Sequence, residues 1–336
     1  MGAMNSFDTI TSTIGTSLLL YTSYKLLDTV RLYLRPSDLH RYRYTDGTGQ
    51  SPWALVTGSS SGIGKNLAFE LAGQGFNVVL HGRSPSKLET VRDELRLAYP
   101  DTEIRIIVAD ASQCHRPDAV DFARIRDEIA SLHLTVLINC AGAGPSPAFS
   151  GLETYGRDTI VDSLHLNAVF PTLLTATLLP VLRGQYRDGE HTSGALMRPR
   201  PALIINIGSV TDDGFPLISF YSAGKSAVHA LHKAIAREAA VDGWDADVEI
   251  ISHRVGAVTG VSHTQAAPSL LRPDARTIAK AILARTGCGR KSVVPYWPHA
   301  VFQVVLAILP IWLVDTIING AMREERRVQD ETAKKE

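Results

Sequence analysis

Tyr221-Ser-Ala-Gly-Lys225 sets a phenol and an ammonium four residues apart. On a helix, residues at i and i+4 share a face. An ammonium one turn from a phenol stabilises the phenolate, so the spacing predicts a Tyr221 pKa below its ordinary value of about 10. Such a phenol can give a proton to a carbonyl oxygen or take one from an alcohol. Alone, Tyr-x-x-x-Lys recurs by chance and is ordinarily structural. Ser209 adds weight to it, following the apolar run Ile204-Ile205-Asn206-Ile207 after one glycine. If that strand abuts the helix, the Ser209 hydroxyl lies near Tyr221 and can hold a substrate oxygen.

A second cluster lies upstream. The run Trp53-Ala-Leu-Val leads into Thr57-Gly58-Ser59-Ser60-Ser61-Gly62-Ile63-Gly64 and then a helical pattern. Glycines in such a turn let the backbone approach a pyrophosphate, whose charge the helix N-terminus stabilises. The spacing is G-x-x-x-G-x-G, not the G-x-G-x-x-G of larger dehydrogenases. The next strand ends Val79-Leu80-His81-Gly82-Arg83-Ser84, without the carboxylate that would bind a ribose 2′-hydroxyl. Arg83 can instead pair with a 2′-phosphate, assisted by Ser84 and Lys87, which points to NADP(H). The plainer alternative is a solvated arginine. Asp110, ending the third strand, is placed to hold an adenine edge or to serve as an ordinary cap.

Positioning these groups requires an alternating chain. Strands are expected at Trp53–Val56, Asn77–Leu80, Ile104–Val108, Val136–Asn139, Ala202–Ile207 and Asp247–His253. Helices are expected at Gly62–Gln74, Pro85–Ala98, Ala119–Ser131, about 155–182 and Ser222–Ala240. Alternation of this kind implies an α/β fold, a doubly wound parallel sheet of Rossmann type with its ligand at the carboxyl ends of the strands. Gly184 to Arg200 reads as a polar surface insertion. The organisation is a segment 1–50, a catalytic domain 51–295 and a hydrophobic segment with a charged tail, 296–336.

The 336 residues carry 34 basic and 34 acidic side chains, so no basic excess points to nucleic acid. Cys114, Cys140 and Cys288 fit no zinc spacing and no disulfide framework, and read as free thiols. Ile10–Leu34 is expected to form an amphipathic or weakly spanning helix, lying on a membrane or packing on protein. Ala300–Ile318 is near the roughly 20 residues a bilayer needs, but Pro310 and Asp315 interrupt it. A membrane-inserted helix–break–helix is expected there; a flap over the cleft or a dimer contact is the alternative.

The ordered set Thr57–Gly64, Asn139-Cys140-Ala141-Gly142, Asn167, Ser209 and Tyr221/Lys225 resembles the short-chain dehydrogenase/reductase family over about residues 50 to 295. The resemblance implies that Asn139 and Gly142 stabilise the central sheet beside the adenosine, and that Asn139, Ala141 and Gly142 belong to the cofactor site. It implies that Asn167 breaks its helix to hold a water linking Lys225 to solvent, and that Lys225 also binds the nicotinamide ribose. Val255, Gly256 and Thr259 would flank the nicotinamide. Cys140 stands where a second Asn is usual, the Ser209–Tyr221 interval is one residue short, and Val255-Gly256 replaces Pro-Gly.

The Arg83/Lys87 segment and Leu309–Arg327 are more narrowly similar to membrane-bound very-long-chain 3-oxoacyl-CoA reductases and 17β-hydroxysteroid dehydrogenases. That similarity implies NADPH, the endoplasmic reticulum, and a lipophilic ketone: a 3-oxoacyl-CoA, a steroid, or a polyketide or terpenoid intermediate. Lys334 supplies half of a dilysine retrieval signal. His253, Arg254 and Arg272 are candidates for the anionic end of CoA. The family implies a homodimer or homotetramer through the helices near 155–182 and 222–240. The rival expectation is a membrane-anchored scaffold that binds NADPH without turnover.

Overall fold

The computed structural model describes residues 2–187, 190–191, 201–261 and 267–333. Its core is a seven-stranded, all-parallel sheet in the order β3-β2-β1-β4-β7-β8-β9. The strands are β1 (Trp53–Thr57), β2 (Asn77–Gly82), β3 (Ile104–Val108), β4 (Leu134–Asn139), β7 (Ala202–Ser209), β8 (Val248–Val255) and β9 (Ser292–Val293). A two-stranded hairpin, β5 (Tyr186–Arg187) with β6 (Glu190–His191), occupies the start of the expected insertion; its remainder, like Lys334, lies outside the described residues. Beyond the six expected strands, the fold adds this hairpin, the edge strand β9 and a helix not foreseen, α8 (Ala275–Ala284).

Helices cover both faces, which is why β1, β2 and β4 are buried along their whole lengths. Alternate residues feed two cores. Ala54, Val56, Val78 and Leu80 pack with Leu67 and Leu71 of α2 (Gly62–Gly73), Leu88 of α3 (Pro85–Ala98), and Ile278 and Ile282 of α8. Leu55, Val79, Leu137 and Ile204 pack with Ile125 of α4 (Phe122–Ala130) and with Phe170, Leu174 and Leu178 of α6 (Phe170–Leu182). The helix expected at 155–182 is α5 (Arg157–Leu164) running into α6 through one π-turn, His165–Val169. Arg157–Leu182 is long and apolar enough to cross a membrane, yet α6 buries its core face against the sheet. The helix carrying the tyrosine is α7 (Ser219–Val241).

At the N-terminus, α1 (Gly2–Leu34) runs for 33 residues. Its last turns dock: Leu32 is buried, Tyr33 Oη donates to Val294 O at 2.6 Å, and Arg290 pairs with Asp28 at 2.6 Å. From Phe7 to Leu27 the large side chains are exposed. Ile14, Leu18, Leu19, Leu20, Tyr21, Leu26 and Leu27 project on all sides, so the expected amphipathic stripe is absent from this stretch. At the other end, α9 (Trp297–Ile308) and α10 (Ile311–Ala333) are separated by Leu309-Pro310. Proline has no amide hydrogen to continue a helix, so the break falls where the ring stands. Their exposed apolar residues include Val304, Ile308, Ile311 and Trp312. Arg326 of α10 donates to Phe149 O at 2.7 Å, and Glu325 pairs with Arg272. The C-terminal pair of helices is thereby fastened to the loop after β4 and to the chain before α8.

Candidate active site

The carboxyl ends of β1, β4, β7 and β8 lie side by side along one edge of the sheet. Gly58 (φ +67°) and Gly62 (φ +56°) adopt backbone angles that other residues rarely take. A Cβ on Gly58 would lie 2.8 Å from Ala141 Cα, and one on Gly64 would lie 2.3 Å from Gly58 O. Only hydrogen fits, so the loop closes tightly onto the start of α2. Ser61 caps α2 without a side-chain hydrogen bond, leaving the first-turn amides to other partners. Ile63 is half-buried against the core and Ser60 lies beside Gly82. Ser59 differs from expectation: its hydroxyl is buried and bonded to the His81 amide at 2.9 Å, so it joins β1 to β2 and presents no side chain to a ligand. The first-turn amides of α2, which Ser61 leaves without a side-chain partner, suit the oxygens of a pyrophosphate.

Arg83 and Lys87 are exposed at the end of β2 and the start of α3, and neither forms an ion pair among the described residues. Ser84 caps α3. Asp110 takes the plainer of its two expected roles. It caps the turn Ala111–Gln113, accepting from the Ser112 amide at 3.0 Å and its hydroxyl at 2.8 Å.

Thr57, which opens the glycine motif, has a role that its position alone does not reveal. Its hydroxyl oxygen accepts the amides of Cys140 and Ala141, both at 2.9 Å, and so fixes the chain leaving β4 against β1. Asn139 donates to Thr175 at 2.9 Å, while its Oδ1 is buried without a partner. The signal was present, since Thr57 directly precedes Gly58, but one hydroxyl serving two amides 83 and 84 residues on is not visible in spacing.

Asn167 sits inside the π-turn and is buried. Its amide nitrogen donates to Ala143 O and Ser163 O, both at 2.9 Å, and its Oδ1 is left without a partner. A Cβ on Gly142 would meet Lys225 Nζ at 2.8 Å and Asn167 Oδ1 at 2.9 Å. Both polar atoms therefore border a place that only glycine leaves open. Lys225 is buried and donates to Ile207 O at 3.0 Å.

Ser209 ends β7 and accepts from the Thr211 amide at 3.2 Å and the Thr211 hydroxyl at 2.9 Å. Its side chain also bears on the Tyr221 phenol, favouring the phenolate. The expected direction of the tyrosine shift is overturned. Burial pushes Tyr221 up to about 12, and the influence of the Ser209 side chain opposes this only in part. Burial likewise brings Lys225 down to about 8. Desolvation disfavours both charged forms, and here it outweighs the attraction expected of the pair.

The three candidate CoA cations are also corrected. His253 is fully buried, its ring held neutral by burial with a pKa of about 3. Arg254 is spent on Asp212, donating from Nε to both carboxylate oxygens at 2.9 Å, and on Asp213 at 2.8 Å. Arg272 is paired with Glu325. Val255 is buried and in register with Ser209. The Gly256 amide donates to His299 Nδ1 at 3.2 Å, and the Thr259 amide to Pro273 O at 3.0 Å.

Residues 52–268 match the short chain dehydrogenase family. The chain is 34% identical to a very-long-chain 3-oxoacyl-CoA reductase of Scheffersomyces stipitis, over 77% of this chain and 72% of that one. It is 27% identical to putative steroid dehydrogenase 3 of Caenorhabditis elegans, over 96% of each. Its fold matches the short-chain dehydrogenase of Sphingobium yanoikuyae solved with NADPH, at TM-score 0.57 and 23% identity, over 77% of this chain and 96% of that one. With the glycine cradle and the Ser209–Tyr221–Lys225 cluster on one sheet edge, the chain belongs to the short-chain dehydrogenase/reductase family, oxidoreductases that use NAD(P)H.

Proposed function

We propose that the protein reduces a ketone on a lipophilic substrate to a secondary alcohol, using NADPH. The observation that carries this is the buried Lys225, its ammonium over the Tyr221 ring one helical turn away on α7, beside Ser209 at the end of β7. Gly58, Ser60, Ser61, Gly62, Ile63 and Gly64 would hold the pyrophosphate, and Arg83 with Lys87 the 2′-phosphate. Ala141, packed on Gly58, with Asn139 behind it, would border the adenosine half, and Gly142, against Lys225, with Val255, Gly256 and Thr259 the nicotinamide half. NADPH, when bound, supplies the hydride.

The chain's own residues handle the proton. Ser209 orients the carbonyl oxygen against Tyr221. Tyr221, protonated at neutral pH, donates to that oxygen as it gains charge. Lys225 and the free Oδ1 of Asn167 border the route by which the proton is replaced. Holding the oxygen and the acid together in advance removes much of the entropic barrier.

The substrate class follows from the relatives' names and the apolar helices: a 3-oxoacyl-CoA or a steroid-like ketone. The exposed apolar surfaces of α1 and α9–α10 support seating on a membrane, with the endoplasmic reticulum as the site and the catalytic domain facing the cytosol. A homodimer or homotetramer through α5–α6 and α7 completes the reading. The test is oxidation of NADPH and of NADH at 340 nm with a 3-oxoacyl-CoA and with a free steroid ketone. No oxidation of either cofactor with any ketone in the panel would sink the proposal.

A further inference from the structure

His299 lies in the first turn of α9, outside the cluster already described, and is 5% exposed. Two backbone groups determine its tautomer. An amide can only donate, so Nδ1 must accept from Gly256 at 3.2 Å. A carbonyl can only accept, so the proton on Nε2 goes to Leu271 O, at 3.1 Å. One neutral imidazole therefore joins two points fifteen residues apart in the chain that follows β8, and burial keeps it neutral.

The fit is close. A Cβ on Gly256 would lie 2.7 Å from Nδ1 and 2.9 Å from Cγ of the ring. Gly256 follows Val255, whose register partner is Ser209. Thr259, three residues on, is buried and anchored to Pro273 O. The outward face of α9 carries Val301, Val304, Val305 and Ile308. The ring is thus the joint between an apolar surface helix and the chain leaving β8.

We propose that His299 is a positioning residue, fixing the Gly256 backbone so that Val255–Thr259 can receive the nicotinamide half of NADPH. This rests on the reductase reading, which assigns that half of the cofactor to this stretch.

The experiment measures NADPH affinity by fluorescence titration, and steady-state kinetics, on the full chain. His299→Leu keeps bulk but has no acceptor; His299→Asn places Oδ1 near the position of Nδ1. Leaving a buried amide unpaired in H299L is expected to weaken NADPH binding by about tenfold. H299N should stay within about threefold of the parent. Turnover at saturating cofactor should change by less than about twofold in both, giving a KM effect without a kcat effect. Equal NADPH affinity in the parent and H299L overturns the inference, as does an equal loss in H299L and H299N. Where H299L fails to fold, Gly256→Ala, which pushes on the same ring, carries the test; unchanged affinity in G256A overturns it. A parent protein that binds no NADPH removes the reductase reading and this inference together, whereas a parent that binds with H299L unaffected removes this inference alone.

Discussion

Lys225 holds its ammonium over the Tyr221 ring, 5.7 Å from the centroid, and gives a hydrogen bond to Ile207 O. The lysine is thus fixed by the strand beneath it rather than by the phenol. Burial brings Lys225 down to about 8 and Tyr221 up to about 12. The free protein at neutral pH therefore carries a protonated acid beside a charged lysine, the state that ketone reduction requires.

The pH profile should follow the lysine. kcat/KM for ketone reduction is expected to be flat below pH 8 and to fall above it, as Lys225 loses its proton. A profile still flat at pH 10 would count against the assignment. Tyr221→Phe should cost about 10²–10⁴-fold in turnover with NADPH affinity retained.

The same lysine lowers stability. Its folded pKa lies below its unfolded value of 10.5, so between about pH 8 and 10.5 the unfolded chain binds more protons and stability rises with pH. Below pH 8 the folded state bears the full cost of a buried charge. Lys225→Met is expected to abolish turnover yet raise Tm at pH 7 by about 2–4 °C. Differential scanning calorimetry checks this, and a lower Tm for K225M contradicts it.

Gly142→Ala puts a methyl against Lys225 Nζ and Asn167 Oδ1, each under 3 Å away. Activity should fall about a hundredfold, since ångström-scale displacement of catalytic groups has that cost. Circular dichroism should remain unchanged. Wild-type turnover in G142A would show that the space beside these two groups need not stay open.

Arg83→Ala should raise the KM for NADPH about tenfold or more and leave that for NADH almost unchanged, because a charge-assisted phosphate contact is lost. Paired titrations with the two cofactors measure it. An equal effect on both would make Arg83 an ordinary surface arginine.

Asp212→Asn should weaken the clamp from Arg254 that holds the turn after Ser209. The carboxylate is only 4% exposed and also lies 3.9 Å from His229. A drop of about tenfold in kcat with little change in NADPH affinity is expected, as is a lower Tm, because Arg254 is left without its principal partner. Parallel kinetics and thermal melts test both halves of this.

The parallel sheet was legible because its central strands are apolar runs set between turn signals, and the glycine loop because Gly58 and Gly64 admit no side chain. The sign of the Tyr221 shift was not legible, since spacing reports proximity while desolvation depends on what covers the pair. Asp110 shows a similar limit: a carboxylate after a strand reads as ligand or cap, and only its bonds to Ser112 decide. Arg254 and Arg272 looked free in sequence because their partners stand 42 and 53 residues away. His299 carried no signal at all, its two partners being lone backbone groups of Gly256 and Leu271.

The π-turn at His165–Val169 has a consequence for how this chain can change over generations. Its wider turn takes up one extra residue, about 100° of ordinary helix, so α5 and α6 keep their faces on either side of it. Removing one residue there would let the turn anneal into ordinary helix with α6 still on the sheet. What would be lost is the widened turn that seats Asn167. The segment can exchange side chains, but the loss of a single codon would leave the fold standing and take away the place of the buried amide.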